Sequence, residues 1–225
     1  MKPVLIIDFD STFIRDETLD EIAKSISKSY KNPTKFQDKI VRITNEAMNG
    51  NLDFKEALNK RIDLLNLNRE HIRNIIPILK NRISPSFLKN KNKINTMKDN
   101  IYIVSGGFKE IIYPVVQDFG ILKNHIFANE FTYNDKDNIT GINEQSDLSH
   151  SNGKLVALKK INLNKRAYVI GDGMTDFEMT QNKEVKAFIC FTENVHRLEV
   201  SNKTNYSASN LDDVFKIIQE IESNG

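Results

Sequence analysis

Four apolar residues in a row, Val4-Leu5-Ile6-Ile7, run straight into two carboxylates one residue apart, Asp8 and Asp10. Three of the four are β-branched, and an uninterrupted apolar run of this length reads as a strand buried on both faces of a parallel sheet. Side chains alternate along a strand, so continued extended geometry would send Asp8 and Asp10 to the same side. At the carboxyl end of a central strand both would crowd the crevice in which open α/β sheets bind ligands. Two like charges held that close need a cation or a shared proton. A purely structural reading also stands at this point: Asp and Ser are ordinary turn residues, and Asp10 could cap whatever follows.

With 225 residues, 39% of them hydrophobic, the chain can bury a substantial core and suits one domain with an insertion or two small domains. Lys+Arg 32 against Asp+Glu 30 gives a net charge of +2. That near balance leaves no basic stripe for nucleic acid, so a small-molecule partner is expected. The single cysteine, Cys190, lies in the apolar run Ala187-Phe188-Ile189-Cys190-Phe191 and reads as a small buried hydrophobe. No apolar run approaches transmembrane length, and Met1-Lys2-Pro3 leads directly into the first strand. The expectation is a cytoplasmic protein with no membrane partner.

After Thr12 the pattern turns helical for some eighty residues. Leu19, Ile22, Ala23 and Ile26 share one helical face, Asn32-Pro33 interrupts, and further helices are expected over 34–48, 53–65 and 69–79. Asp53 with Glu56 three residues on is a capping pair. So the first strand is followed by a helical insertion and not by a single crossover helix. We expect a cap domain over 14–81 on a core of 1–13 and 82–225, with hinges near Phe13 to Asp16 and Arg82 to Pro85. Ile101-Tyr102-Ile103-Val104 is the next buried strand, and Ser105-Gly106-Gly107 after it reads as a turn whose N–H groups can face an anion. A hairpin on the sheet edge is expected within 130–143, a helix from Lys154 to about Ile161, and strands over 166–170 and 185–191. Strands alternating with helices imply an α/β fold with a doubly wound, mostly parallel sheet.

Three strand ends thus carry polar cargo: Asp8 and Asp10, then Ser105, then Asp172 and Asp176 within Gly171-Asp172-Gly173-Met174-Thr175-Asp176. In a doubly wound sheet such ends line one edge, so these residues can converge. Carboxylates with a lysine and a Gly-rich anion turn suit phosphoryl transfer, in which catalysis is largely positioning and charge neutralisation. Hard oxygen ligands favour Mg2+ over zinc, for which the chain offers one Cys and four scattered His. His71, His125, His150 and His196 lie at no metal-binding spacing, and surface or capping roles are expected of them.

Asp8-Phe9-Asp10-Ser11-Thr12, Ser105-Gly106-Gly107, Lys154 and the segment Gly171 to Asp176 resemble, in order, the four motifs of the haloacid dehalogenase-like phosphatases. The helical insertion after the first motif, with Glu17, Met48, Phe54 and Arg61, is similar more narrowly to the phosphoserine phosphatase branch. Asn194-Val195-His196-Arg197 resembles a segment of the animal-type members. The resemblance implies Asp8 as nucleophile, Asp10 as general acid and base, and Mg2+ held by Asp8, Asp172 and the main-chain carbonyl of Asp10, supported by Asp176. It gives phosphoryl binding to Ser105, Gly106, Gly107 and Lys154, with a hydroxyl from Thr175. A phosphoserine substrate would place its carboxylate on Arg61 and its ammonium on Glu17, with Arg197 as a second contact and Met48 and Phe54 as an apolar lid. A phosphatase or phosphotransferase for another small phosphomonoester and a non-catalytic phospho-ligand module remain alternatives, as do monomer and homodimer.

Overall fold

The computed structural model describes residues 3–48, 51–150, 152–161, 163 and 166–224, the side chain of Met48 lying outside this set. Strand β1 (Val4–Ile7) is buried along its whole length. Asp8 is still extended, but beyond it Phe9–Phe13 forms a wide turn closed by the Ile14 N–H on the Phe9 carbonyl at 3.0 Å, with Ser11 at φ 55°. Asp8 and Asp10 therefore do not alternate along one strand as the sequence pattern implied. The turn, not the pleat, sets their separation.

Helices α1 (Thr18–Ile26), α2 (Pro33–Met48), α3 (Phe54–Leu65) and α4 (Arg69–Lys80) follow. Pro33 opens α2, and Asp53 caps α3 by accepting the Glu56 N–H at 3.1 Å. Asn66 ends α3 in the left-handed region, and Asn68 caps α4 in a reciprocal pair with His71. The stretches expected to act as hinges pair with one another: Ile14 bridges Ile83, Arg15 N–H meets the Arg82 carbonyl at 2.8 Å, and Ser84 N–H meets the Phe13 carbonyl at 3.0 Å. Asn194 spans both, its amide donating to the carbonyls of Ser11 and Thr12 and to Ser84 Oγ.

The chain returns through α5 (Pro85–Lys89) and α6 (Lys91–Thr96) to β2 (Ile101–Phe108), α7 (Lys109–Val116) and β3 (Ile126–Asn129). The hairpin β4 (Phe131–Tyr133) and β5 (Ile139–Ile142) precedes α8 (Gly153–Leu158), β6 (Ala167–Gly171), α9 (Met174–Phe177), β7 (Val185–Phe191), α10 (Leu198–Ser201), β8 (Ser207–Ala208) and α11 (Leu211–Ser223). The main sheet has the order β3-β2-β1-β6-β7-β8, every pair parallel. Strand order reverses at β1, which puts the switch point of the sheet at the end of the first strand. Leu5, Ile7, Ile103 and Ile170 face one apolar core, and Ile6, Val104, Val169 and Cys190 face the other. Both faces are covered, as a doubly wound sheet requires, and Cys190 is buried as expected.

Three further expectations are corrected. The hairpin is not on the edge of the main sheet: β4 and β5 form their own two-stranded sheet, tied to the helical insertion by the Asn68–Asn138 bridge and by Ile139 N–H on the Leu67 carbonyl at 2.8 Å. Ser105-Gly106-Gly107 is not a free turn but the irregular end of β2, where the register with β3 shifts between Val104 and Phe108. Helix α8 ends at Leu158, short of Ile161.

Candidate active site

The site grows from the carboxyl end of β1. Asp8 takes over where the strand stops, its N–H still paired with the Ile170 carbonyl of β6 at 2.9 Å. Its carboxylate Oδ1 lies 2.8 Å from Lys154 Nζ, and the same ammonium donates to Asp176 Oδ1 at 2.7 Å. Carboxylates from two strand ends, those of β1 and β6, have converged on one buried cation from α8. Lys154 reaches this position from the first turn of α8, which can approach because residue 153 is glycine: a Cβ there would fall 2.3 Å from the Asp147 carbonyl oxygen. Gly171 is constrained in the same way, since a Cβ would meet Asp176 Cγ at 2.3 Å.

Asp172 completes a trio with Asp8 and Asp176, their oxygens within 4.8 Å of one another and all three residues buried. Thr12 Oγ1 donates to Asp172 Oδ1 at 3.2 Å, and Arg197 Nε donates to its Oδ2 at 2.8 Å. Burial pushes the Asp8 carboxyl up, Lys154 pulls it back, and Asp172 pushes it up again. Burial likewise pushes Asp176 up, reinforced by Asp8 and opposed by Lys154. For Lys154, burial works against the ammonium, but Asp176 and Asp8 outweigh it and hold the proton on. The cluster is therefore short of positive charge, and its donors are all hard carboxylate oxygens. Such a donor set fits a divalent cation of the Mg2+ type. Asp176, expected only in support, contributes its own oxygen to the trio.

Asp10 sits apart from that trio. Its Oδ1 accepts the backbone N–H of Thr18 at 2.9 Å and also the Thr18 hydroxyl, so it caps α1. Its other oxygen faces the second motif, 3.4 Å from where a Cβ on Gly107 would stand. Burial raises the Asp10 carboxyl to about 7, against the Thr18 hydrogen bonds and with Asp8 adding to the rise. A group poised there can give and take a proton near neutrality. The capping reading and the chemical reading of Asp10 thus describe the same carboxyl.

Ser105 is buried, and its Oγ accepts the Gly107 N–H at 3.0 Å. Phe54, the first residue of α3, lies over Gly106, where a Cβ would come within 2.7 Å of its ring. Arg61 follows seven residues later on the same helix face and is buried at 7% exposure. Burial lowers its pKa while Glu17, Asp20 and Asp10 raise it, so its charge lies among these three carboxyls. Glu17 accepts from Ser11 Oγ at 2.9 Å and lies 3.8 Å from Arg197 Nη2; burial, then Asp10 and Asp172, push it to about 8. Thr175 lies in the first turn of α9, and the side chain of Met48 is outside the described residues.

The sequence reading passed over several polar partners: Thr12 on Asp172, Thr18 on Asp10, Asn194 on the turn, and Asn129, whose amide donates to the Gly106 carbonyl at 2.9 Å. Thr18 alone had a local signal, as a hydroxyl opening the first helix after an Asp-rich turn.

Fold and site together define an α/β protein with a buried cluster of strand-end carboxylates at the switch point of a parallel sheet. More particularly, the chain belongs to the haloacid dehalogenase-like hydrolase family, whose model matches residues 5–181. It is 28% identical to the phosphoserine phosphatase of Homo sapiens over 218 residues, 96% of this chain and 91% of that protein. Identity to the chloroplastic phosphoserine phosphatase of Arabidopsis thaliana is 30% over 187 residues, 82% of this chain, which spans 61% of that longer protein. The crystal structure of a phosphoserine phosphohydrolase-like protein from Francisella tularensis superposes with a TM-score of 0.82 at 27% identity, covering 96% of this chain and all of that one.

Proposed function

We propose that this hydrolase is a Mg2+-dependent phosphoserine phosphatase, acting in the cytoplasm as the last step of serine biosynthesis. The observation that carries the reading is the 2.8 Å approach of Lys154 Nζ to Asp8 Oδ1 within the buried carboxylate trio. A lysine there offsets the repulsion between an anionic nucleophile and a phosphate dianion, and the phosphoserine phosphatases among its relatives support the substrate.

Asp8 attacks phosphorus in line, and the bond from phosphorus to the seryl oxygen breaks as Asp10 hands that oxygen its proton. Serine leaves, and the phosphoryl group remains on Asp8 as an acyl phosphate. Water then attacks phosphorus, Asp10 takes its proton, and the Asp8 carboxylate departs, releasing phosphate. Lys154, the Ser105 hydroxyl and the N–H of Gly106 bind the phosphoryl oxygens as charge builds on them, with Gly107 lining the same site and its N–H holding Ser105 Oγ. Thr175 adds a hydroxyl. Asp8, Asp172 and the main-chain carbonyl of Asp10 would hold Mg2+, with Asp176 in support; the ion supplies charge neutralisation for the displacement.

Arg61 takes the substrate carboxylate in its fork, and Glu17 takes the ammonium. Arg197, 3.8 Å from Glu17, stands beside the amino-acid end as a second contact. Phe54, over Gly106, forms the lid. Residues 14–81 act as a cap that closes over the core and excludes water during the first displacement, turning on the paired stretches near Ile14 and Ile83.

Phosphate release from L-phosphoserine is to be compared with release from homoserine phosphate and an aryl phosphate, with Mg2+ and with EDTA. A preference for phosphoserine in kcat/KM, lost with EDTA, supports the reading. Turnover of the aryl phosphate alone overturns the substrate.

A further inference from the structure

Arg61 is a buried cation without a carboxylate within ion-pairing distance among the described residues; it donates to a carbonyl and a hydroxyl. Nε donates to the Ala57 carbonyl one turn back at 3.3 Å, and Nη1 donates to Thr44 Oγ1 at 3.2 Å. A guanidinium carries five N–H donors, so these two bonds leave three. Thr44 is itself buried on α2 and is reached from a different helix.

One hydroxyl has one proton. By accepting from Arg61, Thr44 must send its own hydrogen elsewhere, and two acceptors are in range: Asp20 Oδ1 at 3.1 Å and the Ile40 carbonyl at 3.2 Å. Asp20 belongs to α1, so the line from Asp20 through Thr44 to Arg61 joins three helices of the insertion by side chains alone. A hydroxyl whose hydrogen is drawn to a carboxylate presents its lone pairs to the arginine and is the better acceptor for it. Tied back at Nε and Nη1, the guanidinium has its plane fixed while its remaining donors stay unused. That is what a receptor for a bidentate anion needs before its ligand arrives.

We propose that Thr44, aligned by Asp20, is the positioning residue that presents the Arg61 fork to the substrate carboxylate, and so sets the preference for a phosphorylated amino acid over the corresponding amine. The inference rests on the phosphoserine reading. Neither Thr44 nor Asp20 touches the reacting atoms. Their effect falls on how well the carboxylate is held, and hence on KM for carboxylate-bearing substrates.

The test compares L-phosphoserine with O-phosphoethanolamine, which keeps the phosphate and ammonium and lacks the carboxylate. Thr44→Val, which keeps the shape and removes the hydroxyl, is expected to raise KM for phosphoserine roughly tenfold with kcat little changed. KM and kcat for phosphoethanolamine should stay within about twofold, which also reports that the variant is folded. Thr44→Ser should restore the preference, and Asp20→Asn, which keeps an acceptor and loses the charge, should weaken it by less than Thr44→Val. A wild-type enzyme with no preference for phosphoserine overturns the reading and the inference together. A wild-type preference that survives in Thr44→Val, or in Asp20→Asn should Thr44→Val not fold, overturns the inference alone. Equal losses on both substrates overturn it too.

Discussion

Lys154 Nζ lies 2.8 Å from Asp8 Oδ1 and 2.7 Å from Asp176 Oδ1, so one ammonium from the start of α8 ties the end of β1 to the segment after β6. The two carboxylates are 168 residues apart in sequence (176 − 8) and meet only because β1 and β6 are neighbours in the sheet. This contact pulls down a carboxyl that burial and Asp172 push up.

Asp8→Asn keeps the shape of the side chain and removes the nucleophile. Turnover of phosphoserine should fall by at least about a thousandfold, with the melting temperature unchanged or raised, because like-charge crowding with Asp172 and Asp176 is relieved. Steady-state phosphate release and a thermal melt on the same preparation check both halves.

Gly153→Ala should fail in stability and not in chemistry alone. The new Cβ would stand 2.3 Å from the Asp147 carbonyl oxygen and 2.6 Å from Leu148 Cα, both backbone atoms with no rotamer to yield. A loss of about 3 kcal/mol in urea unfolding is expected. Gly106→Ala is different, since the clash at 2.7 Å is with the Phe54 ring, which can move. Its loss in kcat/KM should shrink when Phe54→Ala is introduced beside it, as a double-mutant cycle would measure.

The carboxyl of Glu17 is held at about 8, far above its ordinary 4.5, by burial and by Asp10 and Asp172. A raised folded-state pKa means that this carboxyl's contribution to stability is fully present below about 4.5 and is lost as pH rises through about 8. The melting temperature of the metal-free protein should therefore decline over that window. Glu17→Gln, which cannot ionise, should make the decline shallower; an unchanged slope would contradict the assignment.

Mg2+ should raise the melting temperature of the wild type by binding the folded form, worth about 2.7 kcal/mol at a hundredfold excess over Kd. In Asp172→Asn the shift should be strongly reduced. An equal shift in both proteins would place the ion elsewhere.

The strand ends were legible in the sequence because buried parallel strands are written as unbroken apolar runs, and the chemistry sits on the residues just after them. Asp8, Ser105, Asp172 and Asp176 could be picked out on those grounds, Lys154 only through the family resemblance, and the structure draws Asp8, Lys154, Asp172 and Asp176 into one cluster. The geometry of Asp10 was not legible, because a wide turn with Ser11 in the left-handed region replaces the expected extended step. Nor was the partner of the β4–β5 hairpin: alternation marks a strand without naming the surface it will lean on, and here Leu67, Asn68 and Arg69 supply it. Side-chain links between distant helices, such as Thr44 with Arg61 or Arg197 with Asp172, leave no periodic trace at all.

The account turns on a covalent phosphoryl group at Asp8. The most direct measurement is a rapid acid quench of the enzyme turning over phosphoserine labelled in its phosphate, followed by peptide mapping of the protein-bound label. The account predicts a label that hydroxylamine releases, that maps to the peptide containing Asp8, and that is absent from Asp8→Asn. Turnover with no protein-bound label at any quench time, or a label on another residue, would contradict it.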